Sequence, residues 1–542
     1  MRRLAMLAAA AAATFVAGCA TLPPGSDFPK TASSAIAQSD DTTLGRQFAL
    51  QSAQHPGLSG FHLFPRGIDG LLLRTQLVRS AQRSLDVQYF LFVEDYTGKL
   101  LLDGVLHAAD RGVRVRILID DLNAFALPEA RKTLTALDGH RNIEVRLFNP
   151  FAYRGSVPLL QRAEFLLDAR RLNHRMHNKL LAADSSIAIV GGRNVADDYF
   201  NTGAVSVRFG DFDVAVVGAV VPDLESSFDD YWNCALAIPQ EALYHAQPVP
   251  TVHEARTELT ENRAEVPEVM RRVDSGDPLA GLLDGRVPLT WAPATVIADP
   301  PEKADAHLSA GGNSPTATTI DSLVDGVSHD LILISPYFIP GPDRRSSLEG
   351  LLQRGARVRI LTNSLASTDV PAVHGAYRRY RKALIDAGAE VFEVRPVPGT
   401  RASDRETRIG SGSSSGGGGA GGSGTSGAPF ALHAKAYVFD ERKVLIGSAN
   451  LDPRSLELNT EIGLLIDSPE IARDVIRRFD GFASSARSYR VVLAPESSPR
   501  AMEWHTEVDG QPVFWSHEPD TTLWQRIKSD LYTLLIPLEK QF

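Results

Sequence analysis

The chain is 542 residues long, 43% hydrophobic, and carries 65 acidic against 56 basic side chains for a net charge of -9. That length and apolar content suffice for two substantial cores or one fused core and exclude a disordered chain. The acidic balance argues against broad electrostatic capture of nucleic acid, although a local basic pocket can exist within it.

Met1-Arg2-Arg3 and the Ala/Leu-rich run to Ala17-Gly18 have the charged start, short apolar core and small-residue exit of an export signal, residues 1–18. Val16-Ala17-Gly18-Cys19 resembles the bacterial lipobox, which implies an acylated Cys19 and a lipoprotein of the cell envelope that faces the periplasm. Whether it sits at the inner or outer membrane stays open. An uncleaved anchor is the competing reading, but the run is short for a span. Residues 19–60, polar and broken by Pro and Gly, read as a tether. With Cys19 acylated, Cys234 has no disulfide partner and reads as a small buried hydrophobe.

Order begins near residue 61. Ser84 to Phe90 alternates like a strand, Lys99 to Arg111 has helical spacing, and Val113 to Ile119 alternates again. The same sequence of elements returns as Asp330 to Phe338, Ser347 to Arg354 and Ala356 to Leu361. Arg111-Gly112-Val113-Arg114-Val115-Arg116-Ile117-Leu118 lines up with Arg354-Gly355-Ala356-Arg357-Val358-Arg359-Ile360-Leu361. The chain therefore contains a first half, 61–238, and a second half, 322–490, each a strand-helix-strand fold with parallel pairing. Residues 239–321 read as a connecting segment with a strand near Pro288 to Trp291. Residues 410–427, all Gly, Ser, Ala and Thr, read as a surface loop. Residues 491–542 form an extension ending in an apolar stripe, Leu523, Trp524, Ile527, Leu531, Leu534 and Leu535, for which packing on the domain is favoured over a membrane surface.

The chemistry is written twice. His177-Asn178-Lys179, Asp184 and Gly191-Gly192-Arg193-Asn194 recur at identical offsets as His433-Ala434-Lys435, Asp440 and Gly447-Ser448-Ala449-Asn450. A histidine and a lysine two apart on a strand share a face and make an anion site. Glycines let the backbone turn so that Asn194 and Asn450 donate to the same anion. Downstream, Asp213-Val214-Ala215-Val216-Val217 lines up with Glu461-Ile462-Gly463-Leu464-Leu465, which places Asp213 and Glu461 as the carboxylates that orient the two imidazoles, each half supplying its own carboxylate-histidine pair. Asp184 and Asp440 belong to the motif, with a structural role as the expectation. His174 and His177 lie on opposite faces of a strand, and no acidic or cysteine cluster completes a metal shell. Tyr89 and Tyr337 sit at matching strand ends, as entrance or core. His374 reads as a surface helix residue within reach of a headgroup.

These residues resemble the HxKxxxxD motifs of the phospholipase D superfamily, over almost everything from Gly60 to Arg490. Within it the likeness is greatest to bacterial cardiolipin synthases of the C type. The carrying stretches are Leu85 to Tyr89, Glu144 to Pro150, Arg175 to Lys179, Val190 to Asn194, Leu361 to Ala366 and Asn450 to Ser455. The resemblance implies an α/β fold of two α-β-α repeats, each a mixed sheet flanked by helices, packed with pseudo-twofold symmetry around one shared active site.

It also implies a phosphatidyl transferase that uses no metal or other cofactor. Such an enzyme makes cardiolipin from phosphatidylglycerol, with phosphatidylethanolamine as an alternative partner substrate, through a phosphohistidine. His177, Lys179, Asp184, His433, Lys435 and Asp440 are then the catalytic set, with His177 as nucleophile and His433 as acid and base; the near-identity of the motifs leaves that order open. Phospholipids and a membrane surface are the expected partners, nucleic acid is not, and the active unit is a monomer. Hydrolysis to phosphatidic acid, a phosphodiesterase or nuclease, and a lipid-binding protein without turnover are the competing readings. A mere binder would have no need of two histidines.

Overall fold

The computed structural model describes residues 23–36, 40–122, 132–155, 157–202, 205–244, 250–265, 271, 278–305, 314–396, 428–494, 501–508 and 510–535. The export signal with Cys19 and the Gly/Ser-rich loop 410–427 lie outside them.

In the first half the strands are β1 (Ser59–Phe64), β2 (Ser84–Tyr89), β3 (Arg114–Asp120), β4 (Ile143–Phe148), β5 (Leu180–Ala183), β6 (Ile187–Gly191), β7 (Arg208–Gly210), β8 (Asp213–Gly218) and β9 (Ala237–Pro239). The connecting segment adds β10 (Thr290–Ala292) and β11 (Ala294–Ala298). The second half and extension hold β12 (Asp330–Ile334), β13 (Arg357–Asn363), β14 (Glu390–Val394), β15 (Phe430–Leu432), β16 (Ala436–Phe439), β17 (Lys443–Gly447), β18 (Ile462–Asp467), β19 (Ser488–Leu493), β20 (Met502–Val508) and β21 (Gln511–Trp515).

The duplication is visible in the sheet orders. One sheet runs β10-β1-β8-β6-β5-β2-β3-β4-β9 and the other β11-β18-β17-β16-β12-β13-β14-β19-β20-β21. In each, three parallel strands joined by helical crossovers meet an antiparallel meander: β2, β3, β4 with β5, β6, β8, and β12, β13, β14 with β16, β17, β18. The alternating apolar runs form these central strands because both faces are covered. An outer core lies under the helices of each half. A third core takes residues from both sheets, Ala188, Val190 and Val214 with Ala436, Ile446 and Leu464, so the halves share one apolar interior.

Two expectations change here. The presumed leash already carries a helix at Thr43–Ser52, capped by the Thr42 hydroxyl and seated by Leu44 and Phe48. The connecting segment does more than wrap the body, because β10 extends the first sheet beside β1 and β11, one residue later, extends the second beside β18.

Candidate functional site

Each motif begins just before a central strand. His177 and Lys179 precede β5, and His433 and Lys435 precede β16, so they lie just outside the strands on which the sequence placed them. Five positions after each lysine, the motif aspartates make the turns. Asp184 and Ser185 have φ of 52° and 48°, Asp440 and Glu441 of 50° and 53°, a left-handed conformation that aspartate tolerates better than most residues. The Asp184 carboxylate accepts from the N–H groups of Gln82, Arg83 and Ser84, and Asp440 accepts from those of Ser328, His329 and Asp330. Each aspartate thus ties its hairpin to the start of the neighbouring parallel strand.

The segments ahead of the histidines are fixed by the ends of the middle strands. Asp120, closing β3, accepts from the Met176 N–H and pairs with Arg175. At the matching position, Asn363, closing β13, donates to the Leu432 carbonyl and accepts from its N–H. Neither residue is apparent from the motif.

The two motifs meet by crossing. The His177 N–H donates to the Thr460 carbonyl of the second half, and the His177 Nδ1 donates to Glu461 Oε2 at 2.8 Å. Reciprocally, the His433 N–H donates to the Gly210 carbonyl of the first half, and His433 Nδ1 donates to Asp211 Oδ2 at 2.6 Å. β7 and β15 pair in parallel alongside this second crossing. Each imidazole is oriented by the opposite half, not by a carboxylate of its own half as the sequence order suggested, and each keeps Nε2 as its other ring nitrogen.

Asp213 does not orient a histidine. It is fully buried, with Oδ2 2.8 Å from Arg74 Nη1 and 3.1 Å from Arg193 Nη1. The pairing register explains the misassignment. Gly191 lies opposite Asp213 on β6 and β8, while Gly447 lies opposite Gly463 on β17 and β18, so Asp213 corresponds to Gly463 and Asp211 to Glu461. A two-residue slip leaves every side chain on the same face, so the apolar pattern could not reveal it. Nor could the spacing from each asparagine: Asp211 follows Asn194 by 17 positions and Glu461 follows Asn450 by 11, with the extra residues containing β7.

The lysines lie under the rings. Lys179 Nζ donates to the His177 carbonyl at 2.6 Å, and Lys435 Nζ donates to the His433 carbonyl and lies 2.9 Å from His433 Nδ1. The shorter, charge-assisted bond to Asp211 holds the Nδ1 proton. Asn194 donates to the Tyr199 hydroxyl at 2.9 Å and accepts from the Leu91 N–H, while the Asn450 amide lies 3.4 Å from Ser455 Oγ. Aromatic edges close the sides, Phe90 against His177 and Tyr199 and Phe209 against His433.

Burial dominates the electrostatics. It pushes His177 down to about 4 against the raising pull of Glu461, and His433 to about 3 with help from Lys435. Burial lowers Lys179 to about 7 and Lys435 to about 8. For Asp211 burial acts upward, yet His433 and Lys435 prevail and hold it at about 2; Glu461 is likewise lowered, by His177 and Lys179, despite its burial. At neutral pH the site therefore holds two ionised carboxylates, two neutral imidazoles and two lysines whose charge an anion would reinforce.

The surroundings are not symmetric. Ser448 Oγ donates to Glu461 Oε2 at 2.5 Å, whereas a Cβ at the equivalent Gly192 would run into the Asp211 carboxylate. Glu461 is gripped from behind by Asp299 of the connecting segment, whose N–H donates to the Glu461 carbonyl and whose carboxylate accepts from the Glu461 N–H. Lys303 pairs with Asp299 at 2.7 Å and donates to the Ser455 carbonyl. A cavity of about 400 Å³ beside Asp299 is lined by Asp223 and Asp230, a setting that repels a phosphodiester.

Tyr89 is a core residue that accepts from Arg74, and Tyr337 is half-buried and donates to Asp369. His374 is not on the surface but buried beneath the extension, 3.5 Å from Glu518.

Two duplicated halves whose His-x-Lys motifs interlock through reciprocal carboxylates define a protein of the phospholipase D type. Residues 75–204 and 323–482 match the family described as "Cardiolipin synthase, PLD-like domain", and the chain belongs to that family. It is 36% identical over 493 residues to "Cardiolipin synthase C" of Escherichia coli strain K12, covering 90% of this chain and 97% of that one. It is 25% identical to a cardiolipin synthase of Oceanobacillus iheyensis over 74% of this chain and 64% of that protein. Among solved structures, the fold resembles the phosphatidylserine synthase of Haemophilus influenzae Rd KW20, with a TM-score of 0.51 and 14% identity, over 82% of this chain and 92% of that one.

Proposed function

We propose that the protein transfers a phosphatidyl group to a glycerol-headed lipid, making cardiolipin from phosphatidylglycerol through a phosphohistidine. The observation that carries this is the crossed pair of carboxylate-held imidazoles, with both lysines in the same buried site. The His177 Nε2 lone pair attacks the donor phosphorus, an N–P bond forms, and the P–O bond to the glycerol headgroup breaks as His433 gives that oxygen a proton. The acceptor hydroxyl then returns its proton to His433, its oxygen attacks phosphorus, and the N–P bond breaks.

Burial and Lys435 hold His433 neutral in the free protein, so it takes up its proton with the substrate; the anionic phosphodiester, bound between Lys179 and Lys435, and the Asp211 carboxylate supply the stabilisation. The lysines, with Asn194 and Asn450, carry charge on the nonbridging oxygens. Asp184 and Asp440 act through the backbone they hold. The lipobox reading of Cys19 supports a lipoprotein of the cell envelope that faces the periplasm. No helix among the described residues is long and apolar enough to cross a membrane.

Purified protein incubated with phosphatidylglycerol should release cardiolipin and glycerol in equal amounts. Phosphatidic acid as the sole product would replace this reading with hydrolysis, and salt-sensitive DNA cleavage without lipid turnover would replace it with a nuclease.

A further inference from the structure

An amphipathic helix on a globular body ordinarily turns its apolar face inward. Two helices of this chain do the reverse. Nine of the eleven large apolar side chains exposed among the described residues fall within 157–167 and 523–531. The helix Pro158–Leu167 is joined to the body by buried Gln161, by half-buried Phe165 and by Glu164, which accepts from the Ala152 and Tyr153 N–H groups. Its outward face carries Leu159 at 73% exposure, Leu166 at 78% and Leu167 at 72%.

The C-terminal helix Leu523–Leu535 lies on the helix Pro371–Asp386 through buried Ser529 and the Arg378–Asp530 ion pair. It turns Leu523, Trp524, Ile527 and Leu531 to solvent, Trp524 at 72%, so these members of the apolar stripe do not pack on their own domain as the sequence suggested.

Charge tells what covers these faces. The chain is acidic overall, yet the exposed charges beside the leucines that lack an ion-pair partner among the described residues are Arg162 and Arg170, and beside Trp524 they are Lys528 and the half-exposed Arg526. The acids nearby are engaged, Asp168 by Arg171 and Asp530 by Arg378. A second copy would bring the same cations against themselves across a symmetric contact. Leucine and tryptophan flanked by unpaired Arg and Lys suit an anionic lipid interface.

We propose that these two helices seat the protein on a phospholipid bilayer bearing anionic headgroups. The first helix leads through residues 169–176 directly into His177, so seating it brings the bilayer to the site. The choice of occupant rests on the phospholipid reading above; the seating itself is read by binding, not turnover.

The test uses the full chain with Cys19→Ser and Cys234→Ala, labelled with a polarity-sensitive fluorophore at Leu167→Cys, Leu531→Cys or, as a reference, Arg286→Cys on an exposed loop. With vesicles of phosphatidylcholine and phosphatidylglycerol, the labels at 167 and 531 should shift to the blue and be quenched by brominated acyl chains, while the label at 286 stays in water. Arg162→Glu with Lys528→Glu should weaken vesicle binding ~10-fold or more at low salt, in proportion to the lost attraction.

Labels at 167 and 531 that stay in water on vesicle-bound protein would overturn the proposal. So would equal response to pure phosphatidylcholine, or labels that become shielded without vesicles as protein concentration rises, which would show a second copy. If the labels insert but wild-type protein turns over no phospholipid, the seating stands and the transferase reading falls. Leu166→Glu with Leu167→Glu should spare turnover of a monomeric short-chain phosphatidylglycerol while reducing turnover on vesicles; equal loss on both would mark the helix as purely structural.

Discussion

The two halves carry the same motif in different settings. In the first half the carboxylate is the short Asp211, with Gly192 leaving it room and Arg193 donating to its carbonyl. In the second it is the longer Glu461, bonded to Ser448 and clasped through its backbone by Asp299. The groups that make and break bonds are symmetric, whereas the groups that hold them are not. On the mechanism proposed above, a duplicated site would divide its labour by supports alone, with one imidazole serving as nucleophile and the other as acid and base.

The largest effect should come from the histidines. His177→Ala and His433→Ala should each lower kcat by ~10³-fold or more, and the double variant should be scarcely worse than either, because the residues act as a unit. Cardiolipin formation under initial-rate conditions checks this; additive losses would indicate two independent sites.

Next come the carboxylates, where the crossing can be broken on either side. Asp211→Asn and Glu461→Gln should each cost ~10²-fold or more in kcat with little change in melting temperature, since loss of a histidine's carboxylate partner disturbs tautomer and orientation. Asp213→Asn should do the opposite. Removing the buried partner of Arg74 and Arg193 leaves uncompensated charge and costs about 3–5 kcal/mol of stability. Thermal unfolding beside kinetics separates the two classes.

These variants also mark how far the sequence could be read. The repeated motifs, the parallel strand-helix-strand units and the role of Glu461 as a histidine's carboxylate were legible, because identical offsets and strand periodicity are local signals, but that its histidine is His177 of the opposite half was not. The pairing of Asp211, in place of Asp213, was not, because an insertion bearing β7 changed the spacing while the period of two stayed intact. Asp299 and Asn363 were hidden for another reason: each acts on a backbone segment far along the chain, and nothing in the adjacent sequence announces its partner. The outward stripe of the C-terminal helix escaped because amphipathicity alone does not say which face meets the body.

A smaller effect separates the lysines from the histidines by pH. A lysine is charged below its pKa, and these are lowered to about 7 and about 8, so the free site loses positive charge as pH rises through that window. A bound anion raises both values, so binding takes up protons there and KM should climb above pH 7, by up to about tenfold per pH unit for each lysine that must be protonated. Lys435→Met should flatten the upper part of the profile. His433, lowered to about 3 in the free protein, takes up its proton with the substrate and adds a dependence of the same sign, so the lysine share is the part that Lys435→Met removes. A KM independent of pH between 7 and 9 would remove the lysines from substrate binding.

The smallest effect sharpens the asymmetry. Ser448→Ala removes one hydrogen bond to Glu461 and should lower kcat ~3- to 10-fold, about what a net contribution near 1 kcal/mol implies. Gly192→Ser, its mirror image, should be worse because its Cβ meets Asp211. Equal, negligible losses would mean that the supports do not matter.

The most direct measurement is the fate of the covalent intermediate. Phosphatidylglycerol labelled in its phosphate is mixed with enzyme, quenched at acid-sparing pH within the first turnover, and the modified histidine is mapped by peptide mass. The account predicts label on His177, abolished by Glu461→Gln from the opposite half and, in Asp211→Asn, slower both to form and to discharge because His433 serves each step. Label on His177 that survives loss of Glu461 but vanishes with Asp211 would contradict the crossed arrangement.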